Sequence, residues 1–383
     1  MIDLFLEYAA NPSVGAELSA AITNLMGSAG RGDADLVEMA ELAVDADPIK
    51  AFSFDADGFA TLQVGEYSWH AGRFETPSIA ELRQRARKAG ATGGRLRLWV
   101  FDGASAATDV GGLQATAAPG SLFQAASQFN CLESPGPYVT PVAQYFHDRT
   151  QGPRASISAF PGTLLRHYAA PRSDGKRFVQ THADQLDLLA GVFGPDVALV
   201  QSGYLMARNV RDPGELVAAL TARFESIRVG VHEGVQVILG YDFEGSVTKS
   251  EQRRIAQVFT STVAGGWYGG AGLGGVEFEG ACRQLLRAAY LGTLLAAATL
   301  GQRLAVLTLI GGGVFGNPVP LIWDAIHWAA AETEPLLSRD LDVIVNGRNL
   351  GDHIPRETLL VGARERGGAL LAFPRTGLPE VLR

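Results

Sequence analysis

The sequence predicts an α/β sandwich built on a mixed, largely parallel sheet, with a small α+β region in front of it. Two observations predict this class. Beyond residue 94, short apolar runs suited to buried strands alternate with segments of helical periodicity, which is typical of α/β proteins. Hydrophobic residues make up 47% and charged residues 19% of the 383, so the chain has enough apolar side chains for one large core or two ordinary ones.

The first 90 residues have a mixed pattern of their own. Helices are predicted at 14–27, 33–43 and 78–89, and strand-like runs at 51–54 and 61–69. The turn-rich sequence GATGG follows and is the best candidate boundary. We therefore predict an N-terminal α+β extension over residues 1–90, of unknown role, and a main domain over residues 91–383.

The main domain supplies the strands and helices of the predicted sandwich. Buried strands are predicted at 95–101, 121–129, 197–206, 234–240, 304–310 and 341–346. Helical patterns lie between them at 214–227 and 279–299, and a further helix is predicted after Pro318. In sheets of this kind, ligands bind at the carboxyl ends of the parallel strands.

Composition and motifs exclude several classes of function. With 32 basic and 40 acidic residues the net charge is −8, which disfavours a protein that neutralises nucleic-acid phosphates. The two cysteines are far apart in sequence, and no signal peptide or membrane span is recognisable, so a cytoplasmic protein without a membrane partner is predicted. Neither a zinc motif, a P-loop nor a G-x-S-x-G elbow is present, so we predict no metal site and no cofactor.

A glycine-rich loop is the sharpest feature of the sequence. A predicted strand leads into residues 311–317, and a helix begins close to Pro318, with Asn317 as its predicted N-cap. Glycines after a strand let backbone N–H groups approach a ligand, and the helix N-terminus adds partial positive charge. The loop therefore predicts a diphosphate site, and a simple change of chain direction is the alternative. The residues assigned to this site are Gly311, Gly312, Gly313, Val314, Phe315, Gly316 and Asn317.

The same glycines match G-x-G-x-x-G, which would suggest a dinucleotide-binding fold. That fingerprint requires an acidic residue at the end of the next strand, about 20 residues on. The next predicted strand ends in Asn346, and too few residues follow to complete such a domain. The pattern therefore disfavours the dinucleotide alternative.

Two further segments carry polar side chains at predicted strand ends. The sequence ASQFNCLE at 126–133 delivers Asn130, whose amide can both donate to and accept from ribose hydroxyls; an Asx-turn that closes the strand is the alternative. The segment 145–153 places a carboxylate, a guanidinium and a Gly-Pro turn close together, which taken alone would indicate a solvated surface. The ligand-binding candidates in these segments are Ser127, Gln128, Asn130, Glu133, Thr150 and Gln151.

Four ordered motifs together resemble the MavL-type branch of the macrodomain superfamily, which is distantly similar to poly(ADP-ribose) glycohydrolases. They are ASQFNCLE, DRTQGP, QVFTS at 257–261 and LTLIGGGVFGNP, and the resemblance covers about residues 92–350. It implies a three-layer α/β/α sandwich that binds ADP-ribose. By this resemblance the loop at Asn130 orients the proximal ribose, the loop 311–317 wraps the diphosphate, and Phe315 lies against the distal ribose or adenine.

The resemblance also implies an activity, removal of ADP-ribose from arginine in protein substrates, with ubiquitin as the substrate associated with the group. The sequence departs from the relatives after QVF, where Gly265 and Gly266 are followed by two aromatic residues. Such a change alters the stiffness and lining of a pocket. We therefore expect ligand or partner specificity to differ even where the chemistry is shared.

Hydrolysis at the anomeric carbon passes through an oxocarbenium-like state, so a carboxylate is required. We predict Asp148, Glu233 and Asp242 as catalytic candidates, because the last two bracket the strand 234–240, expected beside the strand of Asn130. A binding module that recognises ADP-ribosylated partners without cleaving them is the main alternative. A third interpretation makes residues 1–90 the functional centre, as a protein-interaction module.

Overall fold

The computed structural model describes residues 1–27, 33–90, 92–103, 106–148, 150–172, 174–240, 253–347, 350–375 and 377–383. Within these residues the predicted fold class is confirmed. A mixed, largely parallel sheet lies between two layers of helices. The predicted catalytic residue Asp242 lies outside the described residues.

Eleven of the described strands form one continuous sheet, in the order β1-β2-β3-β10-β11-β5-β13-β14-β4-β15-β16. From β11 to β15 neighbouring strands run parallel, and the flanking pairs are antiparallel. The strands are β1 Phe52–Phe54, β2 Ala60–Val64, β3 Tyr67–Glu75, β4 Leu96–Asp102, β5 Ser121–Ala126, β6 Ala170–Pro171, β7 Arg177–Phe178, β8 Ala198–Gln201, β9 Tyr204–Val210, β10 Gly230–Gln236, β11 Arg254–Thr260, β12 Val263–Ala264, β13 Leu304–Leu307, β14 Leu341–Gly347, β15 Leu370–Ala372 and β16 Glu380–Leu382.

The helices cover both faces of this sheet. They are α1 Ile2–Ala10, α2 Gly15–Gly27, α3 Asp33–Ala46, α4 Pro48–Ala51, α5 Ile79–Ala89, α6 Val110–Ala115, α7 Gln151–Ser158, α8 Phe160–Tyr168, α9 Pro213–Ala222, α10 Gly275–Thr299, α11 Val319–Thr333 and α12 Arg356–Glu365. The long helix α10 packs against α5, α9 and α11 in one layer, while α7 packs on β5 and α8 on β3 and β10. Among the described helices, none combines the length and the hydropathy that a bilayer span requires.

Two predicted strands are hairpins in the structure. The run 61–69 contains β2, a turn at Gly65 with φ 56°, and β3. The run 197–206 contains β8 and the start of β9, joined by Ser202 and Gly203 with φ 46° and 80°. Two successive positive φ angles match the twist of a two-residue hairpin. In both cases an apolar run that was predicted as one strand contains a turn between two strands.

The predicted strand 234–240 also differs from the structure. The observed strand β10 begins at Gly230, ends at Gln236 and pairs with β3 and β11. It is not beside β5, because β11 separates the two strands, and the sequence analysis did not recognise β11 as a strand. The expectation that placed Glu233 next to the strand of Asn130 is corrected accordingly.

Residues 1–90 belong to the same sheet and core as the rest of the chain. Strand β3 pairs with β10, and Phe5 of α1 packs edge-on against Phe101 and Phe373 at 5.3 and 5.0 Å between ring centroids. The buried carboxylate of Glu41 in α3 accepts hydrogen bonds from the backbone N–H groups of Val142 and Ala143 at 2.5 and 2.8 Å. The boundary predicted near residue 90 therefore does not divide two hydrophobic cores.

We predict that a chain lacking residues 1–90 does not fold to a cooperative native state. Its loss would expose the edge of β10 and the apolar surface that Phe5, Leu62 and Trp69 bury. Thermal unfolding followed by near-ultraviolet circular dichroism, with the full chain as control, measures this. A sharp transition with native-like aromatic signals for residues 91–383 alone would contradict it.

Candidate functional site

A cleft of about 480 Å³ opens where the parallel strands β5, β11, β13 and β14 end. Their carboxyl ends meet at one edge of the sheet, which is where α/β sheets bind ligands. Most of the predicted ligand-binding residues line this cleft. Those that do are Ser127, Gln128, Glu133, Thr150, Gly311, Gly312, Gly313, Val314 and Phe315, and the predicted catalytic residue Asp148 lines it too.

The glycine-rich loop is held at its start by a tyrosine of α10. The hydroxyl of Tyr290 donates to the carbonyl of Thr308 at 2.7 Å and accepts from the N–H of Ile310 at 3.0 Å. Gly311 has φ 71°, and a Cβ there would collide with Thr262 and Asn317. Glycine is therefore required at this position both by backbone angle and by space.

Four amides of this loop have no hydrogen-bond acceptor among the described residues. They are the backbone N–H groups of Gly311, Gly313, Val314 and Phe315, all of which line the cleft. The residues Gly311 and Phe315 are half-buried, where backbone donors are nearly always paired, while Gly313 and Val314 are exposed; free donors grouped at one cleft are suited to an anion. The loop geometry agrees with the diphosphate prediction, which no bound ligand tests here.

Asn317 has a different role from the one predicted. Its side chain accepts from the Thr262 hydroxyl at 2.9 Å and donates to the Val263 carbonyl at 2.8 Å, and it does not line the cleft. Helix α11 begins after Pro318 with no side-chain cap. The physical reason is that both groups of the Asn317 amide are already hydrogen-bonded to Thr262 and Val263, the residues that follow β11. Gly316, with φ 66°, closes the turn behind the cleft.

An aromatic cluster forms the side of the cleft next to Phe315. The rings of Tyr204, Tyr268 and Phe315 lie 5.2 to 5.8 Å apart between centroids. The Gly265 N–H donates to the Phe315 carbonyl at 3.0 Å, so the glycine pair that departs from the relatives lies directly against the loop. This arrangement brings Tyr268 into the cleft and leaves the neighbouring Trp267 90% exposed.

Glu133 brings a buried carboxyl to the floor of the cleft. The residue is 5% exposed, and no described residue donates a hydrogen bond to its Oε1. Its backbone N–H donates to the Tyr145 hydroxyl at 3.0 Å. The side-chain amide of Gln128 donates to the Ser134 carbonyl and accepts from the Ser134 N–H. The loop that carries Glu133 is therefore rigidly held, while the carboxyl itself has no partner.

The ionisation of Glu133 follows from this environment. Burial raises the pKa of Glu133 well above that of an ordinary glutamate, the charge of Asp148 raises it further, and the charge of Arg166 opposes both. The carboxyl therefore keeps its proton at pH values where exposed glutamates have lost theirs. A protonated carboxyl in a cleft is a candidate general acid.

Three residues of the segment 145–153 line the neighbouring wall of the cleft: Asp148, Thr150 and Gly152. Asp148 accepts a hydrogen bond from the Thr150 N–H at 2.9 Å, and both residues line the cleft. A Cβ on Gly152, in the first turn of α7, would lie 2.7 and 2.9 Å from the two oxygens of Glu133. The carboxyl thus occupies the space that a side chain would take. The side chain of Gln151 lies outside the described residues.

Two more predicted site residues, in addition to Gly316 and Asn317, lie outside the cleft. Asn130 is fully buried outside the cleft, where its Oδ1 accepts from the Leu132 N–H at 3.0 Å and its Nδ2 donates to Gln185 at 2.7 Å. The Asx-turn alternative therefore describes this side chain. Glu233 lies within β10, outside the cleft, in an ion pair with Arg73 at 2.6 Å. The intervening strand β11 separates it from β5.

Several residues of the cleft were missed by the sequence analysis. Thr308 follows β13, and Asn346 is the last residue but one of β14; both line the cleft. The Thr308 hydroxyl and the Asn346 Oδ1 are buried without a partner among the described residues. The position of Asn346 at the end of a predicted strand was a usable signal, whereas Thr308 lay inside one. Tyr268 is one of the two aromatic residues after Gly266 that were expected to alter a pocket lining, and no local pattern indicated Tyr204.

No group of three or more histidine, cysteine, aspartate or glutamate side chains in the described part of the chain could hold a metal ion. Both cysteines are buried and unpaired, and burial raises the pKa of the Cys131 thiol to about 12. The cleft therefore offers a carboxyl pair and backbone donors as its chemical groups. The absence of a cofactor stays a prediction.

We predict that Gly313→Glu weakens the binding of ADP-ribose by at least about tenfold, or ~1.4 kcal/mol, without lowering the melting temperature. A Cβ at Gly313 meets no atom within 4 Å, so the fold tolerates the side chain while its charge opposes an anion. Titration calorimetry measures the affinity, and Gly313→Gln is the neutral control of equal size. Equal affinities for Gly313→Glu and the original chain would contradict an anion site at this loop.

No protein-family model and no curated protein sequence matches this chain. Solved structures of similar fold include a poly(ADP-ribose) glycohydrolase from Thermomonospora curvata, 15% identical over 86% of this chain and 98% of that chain, with a TM-score of 0.40. Another is a poly(ADP-ribose) glycohydrolase from Deinococcus radiodurans in complex with ADP-ribose, 10% identical over 76% and 93%, with a TM-score of 0.39. Likeness at these values carries no argument about activity, which the geometry of the cleft alone addresses.

Proposed function

We propose that this cleft binds ADP-ribose and that the protein hydrolyses the bond at the anomeric carbon of the proximal ribose. One observation carries the proposal: the buried, unpartnered carboxyl of Glu133 shares a cleft with a glycine loop that has four free amides. The amides suit a diphosphate and the carboxyl suits proton transfer at a sugar. The four sequence motifs that resemble macrodomains support the same ligand.

The proposed reaction begins with the proton on Glu133. As the bond from the anomeric carbon to the leaving atom breaks, its electron pair goes to that atom, and Glu133 supplies a proton to it. The resulting carboxylate opposes the positive charge that develops on the ribose. Water then adds to the anomeric carbon and returns a proton to Glu133, so free ADP-ribose leaves and the carboxyl regains its starting state.

Asp148 is the second carboxylate of the proposed mechanism. It lines the same cleft, its charge raises the pKa of Glu133, and its Oδ1 is oriented by the Thr150 N–H. Glycoside hydrolysis uses a pair of carboxyl groups, one as the acid and the other to hold water or to stabilise charge. We assign Asp148 the second of these roles: it holds the attacking water or the cationic leaving group.

We predict that Glu133→Gln lowers kcat for ADP-ribose release by about 10²–10⁴-fold, because the amide cannot donate a proton. In the unsubstituted protein, kcat should fall as the pH rises through the raised pKa of Glu133, because only the protonated carboxyl can donate a proton. Liquid chromatography of released ADP-ribose measures both. Glu357→Gln, at an exposed position on α12, is the matched control and should retain full activity.

The outcomes of this experiment separate the candidates. Full turnover by Glu133→Gln would contradict the assignment of the acid. Tight binding of ADP-ribose by the original chain, without any release from modified proteins, would instead support the module that recognises ADP-ribosylated partners without cleaving them. No binding and no release would contradict the proposed ligand.

We further propose arginine as the linked residue and a modified protein as the substrate. The resemblance supports this choice, and the carboxyl group of Asp148, which lines the cleft, favours a cationic leaving group. The bond that breaks then joins the anomeric carbon to a guanidine nitrogen. The proton from Glu133 lets the leaving group depart as a guanidinium ion.

We predict that arginine-linked ADP-ribose on a protein is released at least about tenfold faster than serine- or glutamate-linked ADP-ribose. A panel of the three modified proteins, assayed at equal concentration, measures this. Arginine-modified ubiquitin, compared with an arginine-modified unrelated protein, tests whether ubiquitin is the preferred partner. Equal rates across the three linkages would remove arginine specificity and leave the general hydrolase proposal standing.

A further inference from the structure

The turn that carries Glu133 contains a residue in an unfavourable backbone conformation. Cys131 has φ 62°, one of two positive φ angles among the described non-glycine residues. A side chain with a Cβ rarely adopts this region, and such residues persist where the surroundings hold them. Here Cys131 lies two residues before Glu133, so its φ angle decides which way the following side chains face.

A buried arginine holds this turn from below. Arg166 of α8 is fully buried, and its Nε donates to the carbonyl of Cys131 at 3.1 Å. One Nη bonds Nδ1 of His232 at 3.0 Å and the other donates to the Thr163 hydroxyl at 3.1 Å. The guanidinium carbon lies 3.6 Å from the ring centroid of Phe259. Every nitrogen of the planar group is therefore used.

The protonation state of His232 agrees with this network. Burial and the neighbouring charge of Arg166 lower the pKa of His232 well below its usual value, so the ring is neutral. Its Nδ1 accepts from Arg166, which leaves the ring proton on Nε2, and Nε2 donates to the Ala71 carbonyl at 2.6 Å. Strand β3 of the N-terminal region thereby fixes the arginine.

The charge of Arg166 has no counter-ion in contact with it. No carboxylate among the described residues lies within 4 Å of its guanidinium, and burial lowers the pKa of Arg166 only to about 10, so it stays charged at neutral pH. An unpaired buried charge is costly and needs a reason. The titratable and charged groups around Glu133 that interact electrostatically with its carboxyl are Asp148, Tyr145, Tyr204, Cys131 and Arg166. Of these, Arg166 carries the positive charge.

We propose that Arg166 is a positioning residue for the site, which bonds the strained turn at Cys131 and places a buried positive charge at the carbonyl two residues before Glu133. This inference rests on the proposed function for its biological meaning. Its physical content is separate from turnover. Without the arginine, the carbonyl of Cys131 loses its side-chain donor, and the carboxyl of Glu133 loses the charge that opposes the effect of Asp148.

Titration of the Glu133 carboxyl tests the electrostatic half of this proposal without requiring activity. Infrared difference spectroscopy over a pH series follows the protonated carboxyl band, which Glu133→Gln identifies by its absence. In Arg166→Met we expect the midpoint to rise by about one pH unit, since an opposite charge has been removed. Arg166→Lys keeps a charge and is the matched control, with a smaller rise. An unchanged midpoint in folded Arg166→Met would overturn the proposal.

A double-mutant cycle tests the structural half and serves if Arg166→Met does not fold. Glycine adopts the φ of Cys131 without strain. The loss in melting temperature that Arg166→Lys causes should therefore be smaller in the Cys131→Gly background, about half or less of the loss that Arg166→Lys causes in the unmodified protein. Additive losses would contradict the role in holding the turn. Because neither readout uses turnover, an inactive original chain would contradict the proposed function and leave this result readable.

Discussion

Burial of one carboxyl group without a hydrogen-bonding partner is the constraint on which this site depends. The carboxyl of Glu133 lies against Gly152 in the first turn of α7. It occupies the space that a side chain at position 152 would need. Leaving a buried polar atom unpaired costs about 1–3 kcal/mol, so the surrounding loop must be held by other bonds. Gln128 and Tyr145 supply these bonds from the same loop and from the segment that leads to Asp148.

The glycine loop and the carboxyl reach the same cleft because their strands are neighbours. Strand β5 leads to Glu133, β13 leads to the glycines, and the two are paired in parallel. Helix α10 fixes both: Tyr290 holds the start of the loop, and the buried Gln124 of β5 donates to Thr293 of α10 at 2.9 Å. The free amides of the loop and the carboxyl of Glu133 are thereby kept at a constant separation, as the proposed reaction requires.

The N-terminal region contributes to this arrangement although none of its described residues lines the cleft. Glu41 binds the two backbone N–H groups at the start of the turn that contains Tyr145, and it accepts from the Tyr168 hydroxyl at 2.9 Å. Strand β3 receives the hydrogen bond of His232. An extension that looked separable in sequence is thus part of the support of the site, because its contacts are with residues far along the chain.

The alternation of apolar runs with helical patterns was enough to predict the sandwich, and the glycine loop was predicted because a strand, consecutive glycines and a proline are a local pattern. The hairpin turns within 61–69 and 197–206 were concealed by apolar residues, and the strand β11 escaped recognition, so Glu233 was assigned to a site from which β11 separates it. Of the polar side chains of Asn130 and Glu133, the sequence offered no means to decide which one faces the cleft. The turn between them has a positive φ at Cys131, whose carbonyl accepts from Arg166, a side chain 35 residues away that reaches it only in the folded chain.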